Sequence, residues 1–168
     1  MGHAFAGYAA GVLVAGLPDK RGVGVRRLAG RILLFAGLAC LPDIDLLFGA
    51  HSMYTHSVGA VLLVGLAAGL IPGTSVSLMV ACAAAYASHL LLDWLGQDTS
   101  APIGIMMLWP FSDQYYSSPV SIMKPVSRRY WLPGFWMHNL KVVLTELVFL
   151  GSIAAAAHWL RAHRRRSG

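Results

Sequence analysis

The residues from Val76 to Leu95 form an almost unbroken apolar run whose far end carries His89 and Asp93. About 20 apolar residues is the length a helix needs to cross a bilayer. Residues four apart stack on one helix face, so this imidazole and this carboxylate reach the same metal ion or each other. Ionisable groups cost roughly 2.5–3.5 kcal/mol each at the centre of a membrane helix and less towards its ends, and such groups mark functional sites. Taken alone, His-x-x-x-Asp fits equally a pair of metal ligands and a hydrogen bond tying two helices together.

The rest of the chain repeats the apolar pattern. Ala4–Leu17, Leu28–Leu41, Val58–Ile71 and His138–Leu160 are further apolar blocks. The apolar fraction is 57% and the charged fraction 12%, against about 45–50% and 25% in soluble domains. The expectation is a single all-α domain over residues 1–168, a polytopic membrane bundle of about five apolar segments. The net charge of +6 sits in short flanking segments, namely Lys20, Arg21, Arg26, Arg27 and Arg31 in one link and the tail 161–168. Such clusters read as topology signals, so no nucleic-acid partner is expected. If every block crosses, link and tail share one side, which the positive-inside rule makes cytoplasmic. The N-terminus, the 42–57 segment and the end of the fourth block then face outward. The connection 96–137, rich in Pro and aromatics, suits an interfacial loop. Cys40 and Cys82 lie in apolar runs and read as small core residues without a disulfide. The N-terminus lacks a basic region with a cleavage site, so no removable signal peptide is expected.

That topology gathers seven ligand-type residues at one membrane interface: His3, Asp43, Asp45, His51, His56, His89 and Asp93. Asp43-Ile44-Asp45 follows Pro42, and as an extended stretch it would turn both carboxylates to one side. Four imidazoles and three carboxylates suit Zn²⁺, with Mn²⁺ or Fe²⁺ as alternatives. The surplus over one tetrahedral ion leaves room for a second ion or for supporting partners. His56, His89, Asp93, Asp43, Asp45 and His3 are the candidate ligands. His51, His3 and Asp45 are the candidates for proton transfer. Trp109, Ser112, Arg128 and Arg129 are the candidates for substrate binding. Each has a plainer role to set beside this: an interfacial terminus for His3, a helix stop for Asp43, a solvated loop for His51. Ser57 reads as the cap of the third block, and His138, His158 and His163 as interfacial. Glu146, a carboxylate in mid-span, must be protonated or paired.

Leu41-Pro42-Asp43-Ile44-Asp45, His51 through Thr55-His56-Ser57, His89-Leu90-Leu91-Leu92-Asp93 and Leu108-Trp109-Pro110-Phe111-Ser112 follow His3 in that order. Over roughly residues 1–115 this set resembles the YdjM-type family, described as LexA-binding, inner-membrane-associated, predicted metal-dependent hydrolases. The resemblance implies a bacterial inner-membrane helical protein with a His/Asp metal centre. The ligand logic is similar to that of zinc-dependent phospholipase C. One departure is His51-Ser52-Met53-Tyr54, where the family usually has His-Arg-Gly. The missing guanidinium would have been a phosphate or carboxylate clamp, a charge that Lys124, Arg128 or Arg129 would have to supply. The expected function is hydrolysis of a lipid ester or phosphoester by metal-activated water, with one or two ions. The alternative is a non-catalytic membrane protein whose metal serves a structural, sensory or partner-binding role. Transport ranks third, because the ionisable groups lie near span ends rather than at the midplane.

Overall fold

The computed structural model describes residues 2–16, 25–48, 52–97, 101–127 and 130–164. These contain five α-helices and no strand: α1 (Gly2–Ala15), α2 (Val25–Cys40), α3 (Val58–Gly69), α4 (Val76–Trp94) and α5 (Phe135–Arg164). Two 3₁₀ helices, Leu41–Phe48 and Tyr54–His56, join α2 to α3. The all-helical expectation holds. By length and apolar composition α4 and α5 are able to cross a membrane, while α1 and α3 are shorter apolar helices.

Helix α1 is the centre of the packing and touches α2, α4 and α5. Its glycines explain how. A Cβ on Gly7 would overlap Ala39 and the Phe35 carbonyl, and one on Gly11 would overlap the Phe35 ring. Small residues four apart thus let α1 and α2 approach closely. The pairing of Gly7 with Ala39 and Gly11 with Phe35 makes the two helices antiparallel. Val12, Phe35, Ala81, Cys82 and Ala85 form the buried core between α1, α2 and α4. Cys82 belongs to it as expected, whereas Cys40 ends α2 in an exposed position.

Local signals account for the ends of α3 and α4. Ser57 Oγ accepts from the Ala60 amide at 3.1 Å, capping α3. Gly73, with φ of +81°, forms the turn that sends the chain back as α4. The connection after α4 has structure of its own. Met107 O and Trp109 O accept from the amides of Val58 and Gly59 at 2.8 and 3.0 Å. Ile105 is buried with Tyr86 and Leu90. At its far end the Asn139 side chain accepts from Ser127 N at 2.8 Å and donates to Ser127 O at 3.0 Å, fastening the connection to α5.

Candidate metal centre

One end of the bundle collects the start of α1, the end of α2 with its 3₁₀ extension, the start of α3 and the end of α4. Four side chains meet there. His89 Nε2 and His56 Nε2 are 3.1 Å apart. Asp93 Oδ2 lies 3.0 Å from His89 Nε2 and 3.2 Å from His56 Nε2. Asp43 Oδ1 stands 3.7 Å from His89 Nε2 and 3.9 Å from His56 Nε2. Atoms held about 2.0–2.1 Å from a tetrahedral ion are about 3.3–3.4 Å from one another. The observed separations bracket that value, so these residues fit a divalent metal.

The far side of each imidazole fixes its orientation. His89 Nδ1 donates to the Ala39 carbonyl at 2.6 Å. A carbonyl only accepts, so in neutral His89 the proton is on Nδ1 and the lone pair on Nε2. His56 Nδ1 lies 3.1 Å from Asp45 Oδ2, which also accepts from Thr55 Oγ1 at 3.0 Å. Tyr86 OH donates to the Thr55 carbonyl at 2.7 Å and ties this short segment to α4. Both imidazoles are fully buried. Two lone pairs and two carboxylates therefore converge on one small volume, an arrangement that favours a cation there.

His3 joins from α1. Its Nε2 is 3.0 Å from Asp93 Oδ1, and its ring stacks on that of His89 with centroids 4.0 Å apart. Among the described residues two overlapping sets have ligand atoms close enough to share an ion: His56, His89 and Asp93, and His3, Asp43 and His89. The backbone amide of Gly2 donates to Glu146 Oε2 at 3.1 Å. The mid-span carboxylate thus has a partner, and it holds the helix end from which His3 projects.

The sequence expectation for Asp-x-Asp needs correcting. Leu41–Phe48 is a 3₁₀ helix rather than an extended strand. At three residues per turn, positions two apart point in different directions. Asp43 accordingly faces the two Nε2 atoms, while Asp45, buried, sits behind His56 on its Nδ1 side. Asp45 is in the place of a residue that orients a ligand.

Other expected residues have contacts of their own. Trp109 packs over Gly59, whose added Cβ would meet the indole at 2.9 Å, and makes an edge contact with Tyr54. Ser112 Oγ accepts from Gln114 N at 3.2 Å and is 3.3 Å from Tyr116 OH, contacts that shape its own turn. Lys124 is exposed. His51, Arg128 and Arg129 fall outside the described residues. His158 pairs with Tyr8 OH at 2.5 Å within the α1–α5 contact. Thr55, Tyr86 and the Ala39 carbonyl complete the site. Thr55 belongs to the Thr55-His56-Ser57 motif but carries no ligand-type group to single it out, Tyr86 has no motif, and a backbone carbonyl leaves no trace in a sequence.

A protein-family model described as YdjM inner membrane protein matches residues 1–164. No curated protein and no solved structure matches the chain.

Proposed function

The chain belongs to the YdjM inner membrane protein family, and on that premise we propose that it is a membrane-embedded, metal-dependent hydrolase of a lipid ester or phosphoester. The observation that carries this reading is the pair of buried imidazoles, each held from behind by an acceptor, with Nε2 atoms 3.1 Å apart beside Asp93 and Asp43. His56, His89, Asp93 and Asp43 would hold the ion, with His3 as a further ligand or as the partner of Asp93. A bound Zn²⁺, or Mn²⁺ or Fe²⁺ in its place, supplies Lewis acidity and makes a water nucleophilic near neutral pH.

The side chains divide the remaining work. Asp45 and the Ala39 carbonyl keep the proton of each imidazole on Nδ1 and the lone pair on Nε2. Asp43, with 41% of its side chain exposed, stands at the open edge, while His56 and His89 close the interior. A ligand set with an accessible edge favours catalysis over a structural site, which is closed by its own ligands. His3 Nε2, partly exposed beside Asp93, is the group placed to accept or return a proton.

Orientation follows from charge. Arg31 Nη1 donates to the Gly16 carbonyl at the end of α1, and Ala162 packs near the same end. Arg26, Arg27, Arg31, Arg161 and Arg164 thus gather at the end opposite the His/Asp cluster. The positive-inside rule then makes that end and the C-terminus cytoplasmic, with the cluster towards the outer face.

The test is metal content by mass spectrometry on detergent-purified protein, comparing wild type with the double variant His89→Ala/Asp93→Ala. One or two equivalents of transition metal in wild type, lost in the variant, is the expected result. It leads to a screen of phospholipid and isoprenoid phosphoesters. Wild type that takes up no metal even after reconstitution with Zn²⁺ or Mn²⁺ refutes the metal centre and the hydrolase with it. A loaded protein that cleaves none of the esters leaves the non-catalytic reading.

A further inference from the structure

The 3₁₀ helix Leu41–Phe48 carries Asp43 and Asp45, yet its other faces are strongly apolar. With three residues per turn, Leu41, Ile44 and Leu47 line up as one stripe. They are 41%, 44% and 80% exposed, and Phe48 beside them is 81% exposed. The stripe continues the outer face of α2, where Leu33 is 72% exposed and Gly37 is also exposed. Asp45 points inward and Asp43 stands at the edge of the cluster, while the large apolar groups face outward, the reverse of a water-facing loop.

Helix lengths place this segment in depth. The basic residues at the opposite end belong at a membrane–water boundary. Measured from there, α1 with 14 residues and α3 with 12 rise only about 21 and 18 Å. The hydrocarbon layer is about 30 Å thick. α4 is longer, but His89 stands only 13 residues beyond its start at Val76, a rise of about 20 Å, so the level shared by His3, His56 and His89 at the cluster end of the bundle lies about 10 Å short of the far boundary, with Asp93 one turn nearer to it. A segment capping that end meets acyl chains rather than water.

We propose that Leu41–Phe48 is a membrane-embedded lip of the His/Asp cluster, with Leu41, Ile44 and Leu47 in contact with phospholipid acyl chains, so that the Asp43 edge opens to the bilayer. Entry of a lipid ester by this edge rests on the hydrolase reading; the placement of the lip does not.

The experiment is collisional accessibility of a spin label. Leu47→Cys and Ile44→Cys are made singly in a Cys40→Ser/Cys82→Ala background, with Gln114→Cys in the exposed connection as the aqueous reference. The proteins are reconstituted in phosphatidylcholine/phosphatidylglycerol vesicles. Labels at 44 and 47 should collide severalfold more with oxygen than with a water-soluble nickel chelate, and the label at 114 should show the opposite preference. Nickel-chelate accessibility at 44 and 47 equal to that at 114 overturns the lip. Metal content on the same samples separates the two readings. Labels in lipid on a protein that binds no metal support the lip and defeat the hydrolase. Labels in water on a metal-loaded protein do the reverse. Should the labelled variants fail to fold, Leu47→Trp in the wild-type sequence, read as the quenching by acyl-brominated lipid against aqueous iodide in excess of that of the five native tryptophans in wild type, gives the same answer.

Discussion

Asp45→Asn isolates the difference between a metal ligand and a residue that orients one. In the structure Asp45 Oδ2 lies 3.1 Å from His56 Nδ1 and accepts from Thr55 Oγ1, while the Nε2 side of His56 faces the cluster. An amide oxygen at that place still accepts from His56 Nδ1 but brings no charge to polarise the ring. Loss of such a partner weakens metal affinity by about 10–100-fold, equivalent to about 1.4–2.8 kcal/mol. Removing the imidazole itself with His56→Ala should abolish stoichiometric binding. The assay is competition for Zn²⁺ against a chromophoric chelator in detergent, with thermal unfolding of the metal-free proteins as a control. An Asp45→Asn protein that binds like wild type refutes the orienting role. One that loses metal as completely as His56→Ala shows that Asp45 is a ligand after all. Thr55→Val should shift affinity in the same direction, because it removes both the hydrogen bond that Asp45 accepts and the 3.0 Å contact of Thr55 Oγ1 with His56 Nδ1.

Three further outcomes follow from packing. Gly7→Val should cost about 1–3 kcal/mol or more, since its Cβ would overlap Ala39 and the Phe35 carbonyl, whereas Gly37→Ala meets nothing within 4 Å and should be neutral or stabilising by about 0.5–1 kcal/mol; unfolding midpoints in detergent decide between them. Asn139→Ala removes both hydrogen bonds to Ser127, at about 1–3 kcal/mol, and should speed proteolytic cleavage between residues 101 and 134 while leaving α1–α4 intact. Glu146→Gln keeps an acceptor for the Gly2 amide and should be tolerated, whereas Glu146→Leu should lower the unfolding midpoint and the metal affinity together, because the helix end that carries His3 loses its anchor.

Residue type and position at the ends of apolar blocks are enough to mark His56, His89, Asp93 and Asp43 as candidate ligands, and the fold brings them within 3.9 Å of a common neighbour. Ser57 is legible as a cap because a hydroxyl before an apolar run has one common use. Asp45 is harder to place for a geometric reason: a repeat of two residues carries opposite meanings in a strand and in a 3₁₀ helix, and Pro42 permits both. The pairing of Glu146 with Gly2 and of Tyr8 with His158 joins the first helix to the last, and no local pattern encodes a contact across that much chain. Trp109 and Ser112 are substrate candidates on their chemistry alone. In the fold the indole fills the space over Gly59, a role that only the close approach of α3 reveals.

The arrangement around α1 has a consequence for biosynthesis. Among the described residues α5 finds its main packing partner in α1, through Gly2, Tyr8 and Ala9 against Glu146, His158, Ala154 and Ala157. Translation delivers α1 first and α5 last. His3, Asp43, His56, His89 and Asp93 are all present once α4 has left the ribosome, so the cluster is complete while the partner of α1 is still being made. The end of α1 that carries His3 gains its anchor, Glu146, only when α5 arrives, so the last helix made is the latch that fixes His3 beside the others.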